Sequence, residues 1–208
     1  MCREHKIAAL ILAAGSSTRM GKFKPLMDLN GHTVIENAVD CFLKAGISDV
    51  RVVIGYNASE MIPILEKLGV TYTINKHYQQ GMFSSVHAGL NSFEGFYSGV
   101  FILPGDVPMV KSRTVEIILN ELRISGAGII YPCFSGERGH PPFISSKYFG
   151  EILSSDPSEN LRSVLSRFED DSRNVELIDE SILMDIDTPD DFNEAVKYLN
   201  HRNVPSKN

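Results

Sequence analysis

The chain has no tryptophan and only three cysteines in 208 residues, at Cys2, Cys41 and Cys133. Widely spaced cysteines without a Cys-x-x-Cys pair exclude a secreted disulfide framework and a zinc site, and they indicate a reducing compartment. The first apolar run, residues 7–14, is far shorter than the roughly 20 residues that span a bilayer. It leads directly into a charged loop, which argues against a signal peptide. We therefore expect a cytoplasmic protein with no membrane partner.

Long basic segments are also absent. The sequence has 20 Lys and Arg residues against 26 Asp and Glu residues, which gives a net charge of −6. Nucleic-acid-binding proteins normally carry a basic surface, so we expect no nucleic-acid partner. A few cations in one cleft can still bind a nucleotide on a protein that is acidic overall. The composition, 43% hydrophobic and 22% charged, is that of an ordinary globular protein.

Short apolar runs alternate with segments of helical periodicity over most of the chain. The runs, at 7–12, 50–54, 71–74, 99–103 and 127–131, predict strands. Helices are predicted at 33–45, 58–68, 84–91 and 111–125. This alternation favours a mostly parallel sheet covered by helices on both faces. In such sheets, ligands bind beyond the carboxyl ends of the strands.

The last third of the sequence is less regular. Residues 135–142 predict an exposed loop between two short strands, and residues 161–168 predict a short helix. Thr188 and Pro189 are typical of the cap and first position of a final helix. No linker divides the chain, so we expect one domain over 1–199, followed by a polar, disordered tail at 200–208.

The segment 12–26 is rich in the residues that bind phosphate. It combines glycines, hydroxyls and three cations directly after the first predicted strand, which suits a polyphosphate. A P-loop is excluded because five residues separate Gly15 from Gly21 and Phe23 replaces the metal-binding hydroxyl. Ala13 and Thr18 break the dinucleotide-binding fingerprint. From composition alone, a strand-to-helix connection with solvated cations remains open.

This segment reads Leu-Ala-Ala-Gly-x-Ser-x-Arg-Met-Gly and continues to Lys-Pro. It resembles the signature of nucleotidyltransferases that make nucleoside-diphosphate products. The resemblance is greatest to the molybdenum cofactor cytidylyltransferase family, within the MobA-like NTP transferase group. It implies an α/β, single-domain, Rossmann-like three-layer nucleotidyltransferase fold with a mostly parallel sheet. The implied reaction transfers CMP from CTP to molybdopterin, a phosphorylated pterin, and releases pyrophosphate.

The same resemblance implies roles for the residues around the triphosphate. Arg19 is expected to bind the departing β- and γ-phosphates, and Lys24 the α-phosphate. Further residues expected to bind the nucleotide are Leu12, Ala13, Ala14, Gly15, Ser16 and Pro104. The base is expected to contact Gly81 and Ser85, aided by Asn75. An alternative for this stretch is that Ser84 simply caps the helix.

Two aspartates are candidate ligands of Mg²⁺. Asp106 lies in a Gly-Asp-x-Pro element and Asp187 in an Asp-x-Asp-Thr-Pro element, and both resemble metal-binding elements of the family. Mg²⁺ is commonly held by one or two carboxylates together with substrate phosphates. Taken singly, Asp106 could be a turn residue and Asp187 a helix-entry residue. The expected catalytic set is Arg19, Lys24 and Asp106.

On the acceptor side the resemblance implies His140, in Gly-His-Pro-Pro, and Arg162. An exposed loop histidine without a role is the alternative for His140. The family's Gly-Asp-x-Gly element before the arginine is missing, because the chain has Asp-Pro-Ser-Glu-Asn-Leu at 156–161. GTP as donor and a sugar or polyol phosphate as acceptor therefore stay open. So does a non-catalytic nucleotide-binding protein that hands the cofactor to a molybdoenzyme apoprotein, itself a candidate partner.

Overall fold

A computed structural model describes residues 6–16 and 22–202. Its strands are β1 (Lys6–Ala13), β2 (Asp28–Leu29), β3 (His32–Thr33), β4 (Asp49–Ile54), β5 (Thr71–Ile74), β6 (Tyr97–Pro104), β7 (Ile129–Phe134), β8 (Glu137–Arg138), β9 (Phe143–Ser145) and β10 (Ser172–Glu176). Its helices are α1 (Val34–Lys44), α2 (Ala58–Leu68), α3 (Met82–Asn91), α4 (Ser112–Ser125), α5 (Phe149–Ser154), α6 (Leu161–Leu165) and α7 (Pro189–Arg202). None of these helices is both long and apolar enough to cross a membrane.

The central sheet of the described residues follows the order β10-β7-β9-β6-β1-β4-β5, with β8 paired to β7. Strands β1, β4, β5 and β6 are parallel, and β10 is parallel to β7. Within that order, β9 runs antiparallel to both of its neighbours, β6 and β7. The short strand β8 is likewise antiparallel to β7. The prediction of a mostly parallel sheet is therefore confirmed, with the reversed strand β9 inside it and the reversed strand β8 beside β7.

Strand β1 is buried on both faces, as its unbroken apolar sequence predicts. Ile11 packs into a core cluster shared with α1 and α4, whereas Leu10 packs on the opposite face with α3 and α5. Helix α3 lies so close to β1 that a Cβ at Gly89 would come within 2.4 Å of the Leu10 side chain. Helices thus cover both faces, which confirms the three-layer α/β fold.

The segment 135–142 differs from its prediction. Two short strands do bound it, but only its tip is exposed, while Gly139, Pro141 and Pro142 are buried. Two backbone bonds hold its second half against the fold: Gly139 N donates to Pro132 O at 2.8 Å, and His140 N donates to Ile182 O at 2.9 Å. The expectation of an exposed loop is therefore wrong for residues 139–142, since the bond to Ile182 joins segments that are distant in sequence.

Helices α6 and α7 end at positions other than those expected. Helix α6 stops at Leu165 and continues as a 3-10 turn, Ser166–Asp171, in which Phe168 leaves the helical conformation. The final helix begins at Pro189 as predicted, and Thr188 Oγ1 accepts a bond from Asp191 N at 3.2 Å. It runs to Arg202, three residues into the expected tail at 200–208, of which residues 203–208 lie outside the described part.

A buried carboxylate joins the C-terminal segments to α4. Asp179 accepts bonds from Lys111 Nζ at 2.7 Å, Thr114 Oγ1 at 3.1 Å, Ser181 Oγ at 2.7 Å and Tyr198 Oη at 3.4 Å. Burial alone would raise the pKa of Asp179, but the bonds from Lys111 and Ser181 outweigh it and hold this pKa below its ordinary value. The carboxylate therefore stabilises the packing of α4, α7 and the segment that follows β10.

Replacing Asp179 with alanine should lower the free energy of unfolding by about 2–4 kcal/mol at pH 7, because a buried charged network loses its centre. A folded-state pKa below the unfolded value contributes stability above about pH 4 that is lost as the pH falls through the folded-state value. The difference from wild type should therefore shrink in acid. Urea unfolding at pH 7 and near pH 3 measures both effects. Glu180→Ala, at the exposed neighbouring acid, is the control, and equal losses in both variants would contradict the assignment.

Candidate active site

The carboxyl ends of β1 and β6 meet at one edge of the sheet. Gly105 N donates to Leu12 O at 2.9 Å, which places the turn after β6 against the loop after β1. A Cβ at Gly105 would lie 3.0 Å from both the Leu12 carbonyl oxygen and the Ala13 side chain. Glycine at 105 therefore permits the close approach that brings Asp106 beside the loop 12–16.

Lys24 begins a short 3-10 turn, Lys24–Leu26. Pro25, at the second position of the turn, fixes its backbone. The preceding Phe23 packs edge-to-face on Tyr56, with ring centroids 5.9 Å apart, so the turn is anchored to the end of β4. As a result Lys24 is only 7% exposed.

That ammonium lies between two carboxylates. Lys24 Nζ is 3.0 Å from Asp187 Oδ1 and 3.4 Å from Asp106 Oδ2. The aspartates are 81 positions apart in sequence, and a backbone bond from Ile186 N to Asp106 O, at 2.8 Å, holds their segments together. The structure thus brings together Lys24, Asp106 and Asp187, although nothing in the local sequence around either aspartate dictates it.

Asp185 and His140 lie in the same acidic environment. Burial raises the pKa of the Asp185 carboxyl, and the charges of Asp187 and Asp106 raise it further. Burial lowers the pKa of His140, and the charge of Asp185 offsets part of this effect. The His140 Nδ1 atom is buried and has no hydrogen-bond partner among the described residues. The alternative of an exposed histidine is therefore wrong, and a neutral imidazole faces this site at pH 7.

The described residues form two adjoining cavities at this edge. The first, of about 450 Å³, is lined among others by Leu12, Ala13, Ala14, Gly15, Ser16, Tyr78, Gly81 and Ser85. The second, of about 770 Å³, is lined among others by Pro104, Arg138, His140, Asp185 and Asp187. Gly15, Lys24, Met82 and Asp106 line both. Two ligands can therefore meet beside Lys24.

A family model describing the MobA-like NTP transferase domain matches residues 9–173, most of the chain. The chain belongs to this family. It is accordingly an enzyme of the nucleotidyltransferase class.

Individual relatives agree with the family. The chain is 29% identical over 187 residues to the molybdenum cofactor cytidylyltransferase of Escherichia coli (strain K12), which covers 89% of this chain and 93% of the relative. The crystal structure of Rv0371c from Mycobacterium tuberculosis has a TM-score of 0.81 at 22% identity and covers 94% of this chain and all of that one. A nucleotidyl transferase from Methanothermobacter (Mth528) also scores 0.81, at 23% identity, with 95% and 99% covered. The two structures support the fold.

Several predicted site residues of this family member take positions other than those expected. Pro104 lines the second cavity and not the first. Asn75 lines neither cavity and lies behind Ser85, to which its Nδ2 donates at 3.0 Å. Arg162 is exposed on α6 and lines neither cavity of the described residues, so the structure does not bring it to the site. Arg19 lies outside the described residues, and its role stays a prediction.

The start of α3 settles the role of Ser84. The helix begins at Met82, with Gly81 as its cap residue. Ser84 is inside the first turn, and its hydroxyl lies 2.7 Å from the Gly81 carbonyl oxygen. The alternative that Ser84 caps the helix is therefore wrong. The cap residue is Gly81, whose φ of 95° separates the helix from the preceding turn.

The cavity residues that sequence reasoning missed include Met82, Arg138 and Asp185. Asp185 is the first aspartate of the Asp-x-Asp element, so attention to both acids would have found it. Arg138 precedes the Gly-His-Pro-Pro element, and its guanidinium lies over the Tyr131 ring, 4.1 Å from the centroid. Met82 is 57% exposed, and a methionine at the start of a helix does not by itself indicate a binding site.

The two carboxylates beside Lys24 are suitable ligands for a hard divalent cation. Two carboxylate oxygens, from Asp106 and Asp187, already converge on one positive charge, the Lys24 ammonium. The described residues contain no group of three or more His, Cys, Asp or Glu side chains that could hold a metal on its own. Two carboxylates therefore need substrate phosphates to complete the coordination, which is the usual arrangement for Mg²⁺ with nucleotides.

Proposed function

We propose that this enzyme is a Mg²⁺-dependent cytidylyltransferase that transfers CMP from CTP to molybdopterin and releases pyrophosphate. The observation that carries the proposal is the position of the Lys24 ammonium, between Asp106 and Asp187 at the junction of the two cavities. Phosphoryl chemistry needs positive charge and carboxylates at the point where donor and acceptor meet. The choice of CTP and molybdopterin is supported by the name of the E. coli relative, which aligns over most of this chain.

In the proposed reaction the first cavity holds the nucleotide and the second holds the acceptor. The loop 12–16 and Gly105 offer backbone groups to the triphosphate at the ends of β1 and β6. Arg19 binds the departing β- and γ-phosphates with its planar guanidinium. Lys24 turns from its carboxylate partners to the α-phosphate and compensates the charge that builds there.

The bond changes are simple. An oxygen of the acceptor's phosphate forms a bond to the α-phosphorus of CTP, and the bond from that phosphorus to the bridging oxygen of the β-phosphate breaks. Pyrophosphate leaves with the electron pair, and the acceptor becomes linked to CMP through a diphosphate. The attacking phosphate is already ionised, so no side chain has to act as nucleophile or general base. The chain's contribution is to align two anions and neutralise their charge.

Mg²⁺ would be held by Asp106 and Asp187 and, when bound, would neutralise charge on the phosphate oxygens. A second structure of the Rv0371c protein contains manganese, which supports a divalent cation in this fold.

The acceptor's position rests on the second cavity. His140 offers a buried Nδ1 without a partner among the described residues, and burial favours its neutral form. We therefore assign His140 to the pterin or its phosphate. For Arg162, only the sequence resemblance supports a role at the acceptor.

We also propose that a single domain over 1–199 carries out the reaction in the cytoplasm and passes its product to a molybdoenzyme apoprotein. The buried free cysteines at 41 and 133 suit that compartment.

A thermal-shift series with CTP, GTP, ATP and UTP, each with Mg²⁺, tests the nucleotide. A ligand at 100 times its Kd stabilises by about 2.7 kcal/mol, which for a domain of this size corresponds to a rise in Tm of roughly 5–10 °C. CTP should give that rise and the other nucleotides a smaller one. CTP without Mg²⁺ is the control. A larger shift with GTP would favour guanylyl transfer, and pyrophosphate release that does not require molybdopterin would refute the proposed acceptor.

A further inference from the structure

Asn75 is a buried amide whose orientation is fixed by the backbone. It follows β5, its N donates to Ile54 O at 2.7 Å, and the residue is 3% exposed. His77 N donates to the Asn75 Oδ1 atom at 2.8 Å. A backbone N–H can only donate, so this bond determines which end of the amide is the oxygen and which is the nitrogen.

The nitrogen end of the same amide faces two serines. Asn75 Nδ2 donates to Ser84 Oγ at 2.8 Å and to Ser85 Oγ at 3.0 Å. An amide nitrogen has two hydrogens, and both are thereby used. Each serine hydroxyl must then accept from Asn75 and direct its own hydrogen elsewhere.

The two serines differ in where that hydrogen can go. Ser84 Oγ is 2.7 Å from the Gly81 carbonyl oxygen and 3.0 Å from the His77 carbonyl oxygen, so its hydrogen is bonded within the protein. The Ser85 hydroxyl donates to no acceptor among the described residues. It lines the first cavity, although the residue is only 4% exposed. The Ser85 hydrogen is therefore available to a ligand in that cavity.

We infer that Asn75 is a positioning residue that fixes the Ser85 hydroxyl as a hydrogen-bond donor toward the base, and so selects a base with an unprotonated ring nitrogen. The inference rests on the proposed function, which places the base in this cavity. Cytosine N3 is an acceptor, whereas uracil carries N3–H, a donor. The Ser85 oxygen keeps one free lone pair besides the one that accepts from Asn75. If it accepted from uracil N3–H, however, its own hydrogen would stay buried without an acceptor among the described residues, whereas donation to cytosine N3 satisfies that hydrogen. CTP is therefore preferred to UTP through Ser85, and Asn75 itself does not contact the base.

The Asn75→Asp variant reverses the polarity of this contact. A carboxylate keeps the bond from His77 N but has no hydrogen to give, so both serines must donate to it. The Ser85 hydroxyl then presents lone pairs to the base, which suits uracil N3–H and opposes cytosine N3. Because a mismatched polar contact in a buried site is costly, we expect the ratio of CTP to UTP affinity to fall at least about tenfold.

Kd values for CTP and UTP are measured by calorimetry on the full chain with Mg²⁺ and without acceptor. The same Asn75→Asp change is made in a Ser85→Ala background, where it should leave the ratio unaltered if Asn75 acts through Ser85.

Ser84→Ala is the matched control. It removes the other partner of the same amide, lies outside the cavity lining, and should keep the wild-type ratio. Asn75→Ala, which introduces no charge, covers the case in which Asn75→Asp does not fold, and it should also lower the ratio because the hydroxyl can then rotate.

Each outcome bears on the inference. An unchanged ratio in Asn75→Asp or, where that variant is unfolded, in Asn75→Ala would overturn it, as would an equal effect of the Asn75 change in the Ser85→Ala background. Wild-type protein that binds both nucleotides and prefers UTP would overturn it too. Wild-type protein that binds neither CTP nor UTP would refute the proposed donor itself, before any variant is compared, and this inference with it.

Discussion

Asp106→Asn should lower the rate of pyrophosphate release by roughly 10³-fold at saturating CTP and molybdopterin. Asparagine keeps the size of the side chain and an oxygen that can accept from Lys24 Nζ, now 3.4 Å from Asp106 Oδ2. It removes the negative charge that a divalent cation requires beside the triphosphate. Mg²⁺ titration of the initial rate should show a much higher concentration for half-maximal activity, and the fold should be unaffected.

The matched control is Asp40→Asn, which removes a surface carboxylate on α1 that pairs with Lys44 at 2.8 Å. That variant should keep the wild-type rate and the wild-type dependence on Mg²⁺. Tm and far-UV circular dichroism show whether each variant is folded. If folded Asp106→Asn turns over within threefold of wild type, Asp106 is not part of a metal site.

Lys24→Met should lower the turnover number by about 10²-fold and change the Kd of CTP much less, because Lys24 is assigned to charge that builds only as the bond is made. Methionine keeps most of the aliphatic stem of this 7% exposed side chain. The variant also leaves Asp106 and Asp187 facing each other without the ammonium between them. Mg²⁺ should therefore bind the nucleotide-free variant more tightly than it binds wild type.

Lys44→Met is the corresponding control, since Lys44 is an exposed lysine on the surface of α1. Equilibrium binding of CTP and of Mg²⁺, together with single-turnover rates, separates the two expected effects. A variant whose CTP affinity falls as much as its rate would place Lys24 in ground-state binding and contradict its assignment to the α-phosphate.

Most strands of the central sheet and most helices could be predicted because their signals are local, whereas β10 was not predicted. Helix α2 occupies 58–68 as expected, since Gly69 supplies the left-handed residue that ends it, with a φ of 68°. Helix α3 begins two residues before its predicted start at 84, because a serine within the first turn is of the residue type that commonly caps a helix. The buried strand β1 was recognisable because both of its faces are apolar.

The second cavity depends on contacts that no local sequence pattern contains. The burial of the segment 139–142 follows from backbone bonds to Pro132 and Ile182. The approach of Asp187 to Asp106 follows from the bond made by Ile186 N. The resemblance to a family predicts that both aspartates belong to one site, whereas the residues alone also allow a turn residue at 106 and a helix-entry residue at 187.

The reversed strand β9 divides the sheet between the two cavities. Strands β1 and β5 end in the loops around the first cavity, the end of β6 reaches both cavities, and the β7–β8 hairpin and the segment before α7 form the far wall of the second. Among the described residues, Gly15, Lys24, Met82 and Asp106 line both cavities. Substitutions beyond β9 should therefore reshape the second cavity while the first stays intact. Under the proposed function, acceptor preference can then diverge among descendants of one ancestral gene without loss of triphosphate chemistry.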